Sequence, residues 1–184
     1  MSIGMKEYQK KAMRTSPRDG HDKIDNGALG LIGETGELVD VYKKWMYQSG
    51  PNAKLPEKQI VDELGDVIWY MAELADGMDS TLLDICGDDF ADLDRKVHRR
   101  PARKASLRSM IVSLAGKAWE TNRAVSRSDW KAACSHVRRM MIFAAHIANY
   151  ADSTLVEVAD RNIEKLKRRY PKGFDAAASM KRYE

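Results

Sequence analysis

Two pairs of acidic residues are the part of this sequence best suited to chemistry. Glu34 and Glu37 stand three residues apart, and Glu63 and Asp66 repeat that spacing further along the chain. Residues three apart share one face of an α-helix, and both pairs stand within apolar patterns of helical period. Glu34 and Glu63 fall in the apolar rows themselves, so we expect them to face the protein core.

Carboxylates directed into a helical core need a compensating charge, because desolvating a lone carboxylate is very costly. Four of them would also repel one another. A hard divalent cation resolves the conflict, with Mg²⁺ as the default ion and Mn²⁺ as a substitute. The alternative is a solvated helix face, which a single acidic pair would favour. Two pairs in phase with apolar rows instead predict a site for two or three ions formed by Glu34, Glu37, Glu63 and Asp66.

Other catalytic chemistries lack their usual residues. The four histidines show no ligand spacing and form none of the Glu-x-x-His pairs of di-iron carboxylate bundles. There is no P-loop, glycine-rich dinucleotide turn or nucleophile elbow. Cys86 and Cys134 have no metal or redox spacing, and the N-terminus has no apolar signal core. We therefore expect reduced thiols in a cytoplasmic protein.

The apolar periodicity predicts an all-α fold, a helical bundle of about seven helices. Only 12 glycines and 5 prolines interrupt it. No apolar run approaches the roughly 18 residues that would cross a membrane, so we expect no membrane partner. Asn26 is placed to cap the second helix. The predicted helices cover about 3–15, 27–48, 56–77, 82–93, 105–125, 129–149 and 154–170.

An internal repeat appears in the second half of the chain. The run Asp-Ser-Thr-Leu at 79–82 recurs at 152–155, and the apolar pattern around it is kept. When these two runs are aligned, His136 falls at the position of Glu63 and Arg139 at that of Asp66. A segment that resembles the one around Glu34 has Lys117 in place of the glutamate. Chance similarity between amphipathic helices is the alternative explanation. The repeat predicts an acidic lobe over 1–97, a basic linker near 94–104, a degenerate lobe over 105–174 and a tail over 175–184.

Four segments together resemble the MazG-type branch of the all-α NTP pyrophosphatases. The central two are Asn-Gly-Ala-Leu-Gly-Leu-Ile-Gly-Glu-Thr-Gly-Glu at 26–37 and Asp-Glu-Leu-Gly-Asp-Val-Ile-Trp-Tyr at 62–70. The opening residues 8–15 and the run Arg-Asn-Ile-Glu-Lys-Leu-Lys-Arg-Arg-Tyr-Pro at 161–171 resemble the family's first and last helices. The resemblance implies a Mg²⁺-dependent enzyme that hydrolyses a (deoxy)nucleoside triphosphate to the monophosphate and pyrophosphate.

The same resemblance implies roles for individual residues. Glu34 or Glu37 would activate the attacking water, and Asn26 would lie near the nucleoside. Lys165 and Arg169 match basic positions of the closing helix and would bind phosphate. Lys44 follows the first acidic pair by two helical turns, which would let it reach a phosphate tail.

Two other functions stay open from the sequence. One is a dedicated dUTP or dCTP (di)phosphohydrolase of the same superfamily. The other is a non-catalytic helical nucleotide- or nucleic-acid-binding module that uses the basic segment 95–104. The net charge of +4 suits an anionic ligand, but we expect no stable nucleic-acid partner. Because ordinary family members pair identical subunits, we expect a dimer or tetramer, or a monomer if the second lobe replaces the partner.

Overall fold

The computed structural model describes residues 3–17, 20–50, 52–97 and 104–175, without the side chains of His21 and residues 104–106. Within these ranges the chain is helical and has no strand, which confirms the predicted all-α bundle. None of the helices there combines the length and apolar character needed to cross a membrane. The helices are α1 (Met5–Ala12), α2 (His21–Tyr47), α3 (Glu57–Gly77), α4 (Leu82–Cys86), α5 (Phe90–Lys96), α6 (Lys104–Val125), α7 (Trp130–Tyr150) and α8 (Leu155–Arg169), with a 3-10 turn at Met13–Thr15.

Two helix boundaries differ from the predicted ones. Helix α2 begins at His21 after Gly20, whose φ of 52° suits glycine, so the prediction that Asn26 caps this helix is wrong. The predicted helix over 82–93 is broken into α4 and α5 at Gly87, which adopts a left-handed conformation with a φ of 75°. Most of the predicted linker, residues 98–103, and the tail from 176 onward lie outside the described residues.

Helices α2 and α3 form an antiparallel hairpin with close helix–helix contact. A Cβ atom added at Gly27 would lie 2.8 Å from the backbone nitrogen of Leu74, and one at Gly30 would lie 2.1 Å from the ring of Tyr70. These two glycines therefore set the separation of the helices. Helices α6 and α7 form a second hairpin, and α2 packs against α6 to join the two hairpins into a four-helix core.

The turns that follow α3 and α7 have the same local structure. Asp79 and Asp152 both adopt a left-handed backbone with a φ of 53°. In each turn the next residue donates its backbone N–H to the carbonyl five residues earlier, at 2.9 Å. Thr81 and Thr154 then cap the following helices with their side-chain oxygens. The sequence repeat thus corresponds to a repeat of backbone geometry.

The helices that follow these turns are exchanged between the halves of the chain. Helix α8, from the second half, packs against α3 and α1 of the first. Helices α4 and α5, from the first half, contact α7 of the second. The acidic hairpin is therefore covered by a helix that is distant in sequence.

Candidate functional site

Three carboxylates converge on the exposed edge of the α2–α3 hairpin. One oxygen each from Glu34, Glu37 and Glu63 lies within 4.8 Å of the other two. Glu34 is buried, Glu63 is half-buried and Glu37 is exposed. Oxygens that share one Mg²⁺ lie about 3.0–4.2 Å apart, since each Mg–O bond is about 2.1 Å. The three side chains would therefore have to close in around a divalent cation to bind it together.

The antiparallel register of α2 and α3 brings these residues together. The contacts of Gly27 with Leu74 and of Gly30 with Tyr70 pair the start of α2 with the end of α3. The helices are antiparallel, so positions further along α2 face positions earlier on α3. In this register Glu37 lies opposite Glu63. The acidic residues follow the same helical spacing as the neighbouring buried apolar residues, so their side chains lie on the faces where the two helices meet.

A groove of about 520 Å³ opens beside the carboxylates. This volume falls within the usual range for small-molecule sites. At Gly33 and Gly36, a Cβ would have no described atom within 4 Å apart from the neighbouring residues and backbone of its own helix, so the glycines leave the groove open. The groove is lined by Gly33, Gly36, Glu37, Asp40, Val41, Lys44 and Glu63.

Lys44 lies at the rim of this groove, as its predicted phosphate contact requires. Its ammonium is 2.6 Å from the Asp40 carboxylate, and its side chain is well exposed. The hydrogen bond that Lys44 donates to Asp40 raises the pKa of Lys44, and Lys43 and Lys44 together lower the pKa of Asp40. Lys44 therefore carries a positive charge next to the carboxylate group at neutral pH.

Asp66, the fourth predicted metal ligand, does not belong to this group of three. Its Oδ2 accepts a hydrogen bond from Nζ of Lys165 at 2.5 Å, and its Oδ1 accepts one from the side-chain amide of Asn162 at 3.1 Å. One turn earlier, Asp62 pairs with Arg161 at 3.0 Å. These contacts join α3 to α8, so the predicted phosphate-binding Lys165 lies beside the acidic row.

Arg169 contacts an aromatic ring, and Asn26 contacts a different acidic residue. The guanidinium of Arg169 is 5.3 Å from the ring centroid of Tyr170 at the end of α8. The amide of Asn26 donates to Glu73 at 2.6 Å, and Asn26 is about 12 Å from Glu34 along the helix at 1.5 Å per residue. The structure thus brings Lys165 near the acidic group, while Asn26 is directed to a different acid.

Glu73 is a polar residue that the sequence interpretation missed. It is fully buried in α3 and accepts hydrogen bonds from the hydroxyl of Ser16 at 2.7 Å and from Asn26. Glu73 lies seven residues after Asp66 on α3, at a spacing that places both on the same helix face. This regular spacing of acidic residues could have identified it from the sequence. The contact fixes the segment after α1 against both helices of the hairpin.

Comparisons with known proteins reveal one short similarity. The chain is 34% identical over 62 residues to the Gene 37 protein of Mycobacterium phage L5. The aligned region covers 33% of this chain and 54% of that protein, so the chain spans about half the length of the relative it matches. No protein-family model matches the chain, and no solved structure does. The name of this relative states no activity.

Proposed function

We propose that this protein is a Mg²⁺-dependent nucleoside triphosphate pyrophosphohydrolase of the MazG-like, all-α type. The observation that carries the proposal is the convergence of Glu34, Glu37 and Glu63 from two helices beside an open groove. Three carboxylates and no nitrogen or sulfur ligand form a donor set suited to Mg²⁺ or Mn²⁺. The all-α bundle is the fold that the sequence resemblance implies.

A divalent cation bound there would polarise a phosphoryl oxygen and offset the charge of a triphosphate. Among the chain's own residues, Glu34 from α2 and Glu63 from α3 would hold the cation. Glu37 also lines the groove and is exposed to it. A general base must lie within hydrogen-bond reach of the water that it activates. Between the two glutamates that the sequence left as candidates, Glu37 is therefore our choice.

In the reaction, the oxygen of water attacks the α-phosphorus while its proton passes to the Glu37 carboxylate. The bond between the α-phosphorus and the bridging oxygen breaks, and pyrophosphate leaves. Glu37 then returns the proton to solvent. The products are the nucleoside monophosphate and pyrophosphate.

Two lysines on different helices, Lys44 in the groove and Lys165 on α8, would stabilise the leaving group. Lys44 and Lys165 are already paired with Asp40 and Asp66. An ammonium has three N–H donors, so each lysine can keep its carboxylate and also bind a phosphate oxygen. Fixed positive charge beside a departing pyrophosphate lowers the barrier to its release.

The test is to incubate the protein with each ribo- and deoxyribonucleoside triphosphate and Mg²⁺. Pyrophosphate, orthophosphate and the nucleotide products are then measured separately. We expect the monophosphate and pyrophosphate in equal amounts, with turnover reduced by at least about 10³-fold in Glu63→Gln. The matched control is Glu120→Gln in the second hairpin, which should keep full activity.

Other product patterns would contradict the proposal. Orthophosphate with the nucleoside diphosphate would show cleavage at the terminal phosphate instead. Nucleotide binding without turnover would indicate a non-catalytic binding module. Tight, salt-sensitive binding of DNA or RNA without turnover would indicate a nucleic-acid module. The oligomeric state and the cytoplasmic location stay predictions.

A further inference from the structure

The two hairpins of this protein have net charges of opposite sign. Residues 21–77, which contain α2 and α3, have five Lys and Arg against eleven Asp and Glu, a formal net charge of −6. Residues 107–150, which contain most of α6 and all of α7, have seven Lys and Arg against two Asp and Glu, a formal net charge of +5. The whole chain is only +4. The second hairpin is therefore more positive than the entire protein, and its field attracts anions.

Both acidic residues of the second hairpin already have partners. Glu120 forms an ion pair with Lys117, and the Asp129 carboxylate accepts the backbone N–H of Ala132 at 3.0 Å. Five further cations are exposed and form no ion pair with any residue that the structure describes. They are Arg123, Arg127, Lys131, Arg138 and Arg139. Their charge is therefore available to a ligand from solution.

Two tryptophans are exposed on the same hairpin. Trp119 is 57% exposed and Trp130 is 39% exposed. Trp119 stands four residues before Arg123 on α6, so the ring and the guanidinium share one helix face, and Trp130 begins α7. The other two tryptophans, Trp45 and Trp69, instead pack against the core and donate their ring N–H groups to backbone carbonyls. Exposed aromatic rings beside cations are the features with which proteins bind unpaired nucleobases and the phosphates between them.

The packing of α6 against α7 brings the cations of the two helices to the same level of the hairpin. The hydroxyl of Thr121 on α6 lies 3.7 Å from the sulfur of Met140 on α7. Arg123 stands two residues after Thr121, and Arg139 directly precedes Met140. The remaining exposed cations follow towards the turn at 126–129, so the positive charge extends from the outer face of the hairpin to its tip.

We infer that the exposed face of the α6–α7 hairpin binds single-stranded nucleic acid, with its cations on the phosphates and its tryptophans on the bases. Four of the five cations are arginines, whose planar guanidinium group matches phosphate oxygens. Stacking needs unpaired bases, because a duplex hides their faces, so a single strand is preferred to a duplex. The complex is transient, with a dissociation constant of about 10⁻⁵–10⁻⁶ M at physiological salt. This activity is separate from the proposed hydrolysis and does not use the groove.

The experiment measures the fluorescence anisotropy of a labelled oligothymidine of about 16 nucleotides, which has no triphosphate and is therefore not a substrate. The affinity is determined at several salt concentrations. The triple variant Arg123→Gln, Arg127→Gln and Arg138→Gln should weaken binding at least about 10-fold. It should also reduce the slope of log affinity against log salt by about 2, because each phosphate contact on a single strand contributes about 0.7. Trp119→Ala should weaken binding about 10-fold, the scale of one lost base stack, and should leave that slope unchanged.

A second triple variant separates the place of the charges from their number. Lys10→Gln, Arg14→Gln and Arg168→Gln remove three exposed cations from the other end of the molecule, on α1, the 3-10 turn and α8. The net charge falls by the same amount as in the first triple variant. Affinity should stay within about 2-fold of wild type, because charges more than a Debye length from the bound strand are screened. All substituted side chains are exposed, so every variant should fold, which urea unfolding verifies.

Distinct results would overturn the inference. Equal losses in the two triple variants would mean that only the net charge matters. Trp119→Ala with wild-type affinity, or duplex DNA that binds as tightly as the oligothymidine, would rule out base stacking. Binding to vesicles of phosphatidylserine and phosphatidylcholine without binding to the oligonucleotide would assign the face to a membrane. Salt-sensitive self-association without oligonucleotide binding would assign it to the acidic hairpin of a second copy.

Discussion

The two helical hairpins of this protein are followed by turns of the same kind but carry opposite charge at corresponding places. In the α2–α3 hairpin, one oxygen each from Glu34, Glu37 and Glu63 lies within 4.8 Å of the other two. At the corresponding places in the α6–α7 hairpin, Lys117 forms an ion pair with Glu120, and Nδ1 of His136 is 3.4 Å from the same carboxylate. Under the proposed function the first hairpin takes a cation from solution, whereas Glu120 in the second hairpin pairs with cations of the protein itself.

The difference is visible in the environment of Glu120. The hydrogen bond from Lys117 lowers the pKa of this carboxyl, and the charges of His136 and Arg139 lower it further. The four residues therefore form a charge cluster in which protein cations stand where the first hairpin would take a metal ion.

The largest expected effect concerns the response of stability to metal. A cation present at 100 times its dissociation constant stabilises the folded state by about 2.7 kcal/mol. Wild-type protein should show a gain of this size in urea unfolding with Mg²⁺ or Mn²⁺. Glu34→Gln should lose most of the gain, but it should be more stable than wild type in EDTA, because it removes one of three neighbouring like charges.

Lys117→Gln is the matched variant in the second hairpin. It should be less stable than wild type in EDTA and should keep the full gain on adding metal. The metal site would not belong to the first hairpin if Glu34→Gln kept the stabilisation by metal. The same conclusion would follow if Lys117→Gln abolished that stabilisation.

A smaller effect is expected from the helix contact that is particular to the acidic hairpin. Gly30→Ala places a methyl group against the ring of Tyr70, and overpacking of this kind costs about 1–3 kcal/mol. It should also weaken Mn²⁺ binding, because α2 and α3 must move apart. Chemical denaturation and Mn²⁺ titration measure the two effects.

Gly33→Ala, on the same helix, is the control for Gly30→Ala. Its added methyl group has no described atom within 4 Å apart from the neighbouring residues and backbone of its own helix, so it should stabilise the helix by about 0.5–1 kcal/mol. Equal stability of the two alanine variants would mean that the close contact does not limit the helix separation.

The smallest expected effect is the pH dependence of the ion pair in the second hairpin. The folded-state pKa of Glu120 lies below its unfolded value, so its contribution to stability is present above the unfolded pKa of about 4.3 and is lost as pH falls through the lower folded value. Because Glu120 is largely exposed, the contribution should be under about 1 kcal/mol and should decrease with salt.

Comparison of wild type with Glu120→Gln across pH measures this contribution. The two proteins should differ at pH 7 and converge in acid below both pKa values. A difference that grows in acid would show that Glu120 is not stabilised as the anion.

The acidic group could largely be predicted from the sequence. Glu34 and Glu63 keep the period of buried apolar rows, and periodicity decides which face of a helix a side chain occupies. The partner of Asp66 could not be predicted in the same way, because α8 is far along the chain and its docking on α3 depends on tertiary packing. The partner of Asn26 could not be predicted either. An asparagine is a common helix cap, but here the packing of α2 against α3 places its amide on Glu73.

Sequence alone determined the helical character of the chain, the spacing of its acidic pairs and the repeat of its turns, since these depend on local periodicity and on turn residues. Only the tertiary structure decided which helix covers the acidic hairpin, which carboxylates share one site and which of them is paired with a lysine. These outcomes depend on which apolar faces pack together across the whole chain. A helix that buries its apolar face also carries its charged residues to the elements it covers, so side chains 99 positions apart form an ion pair.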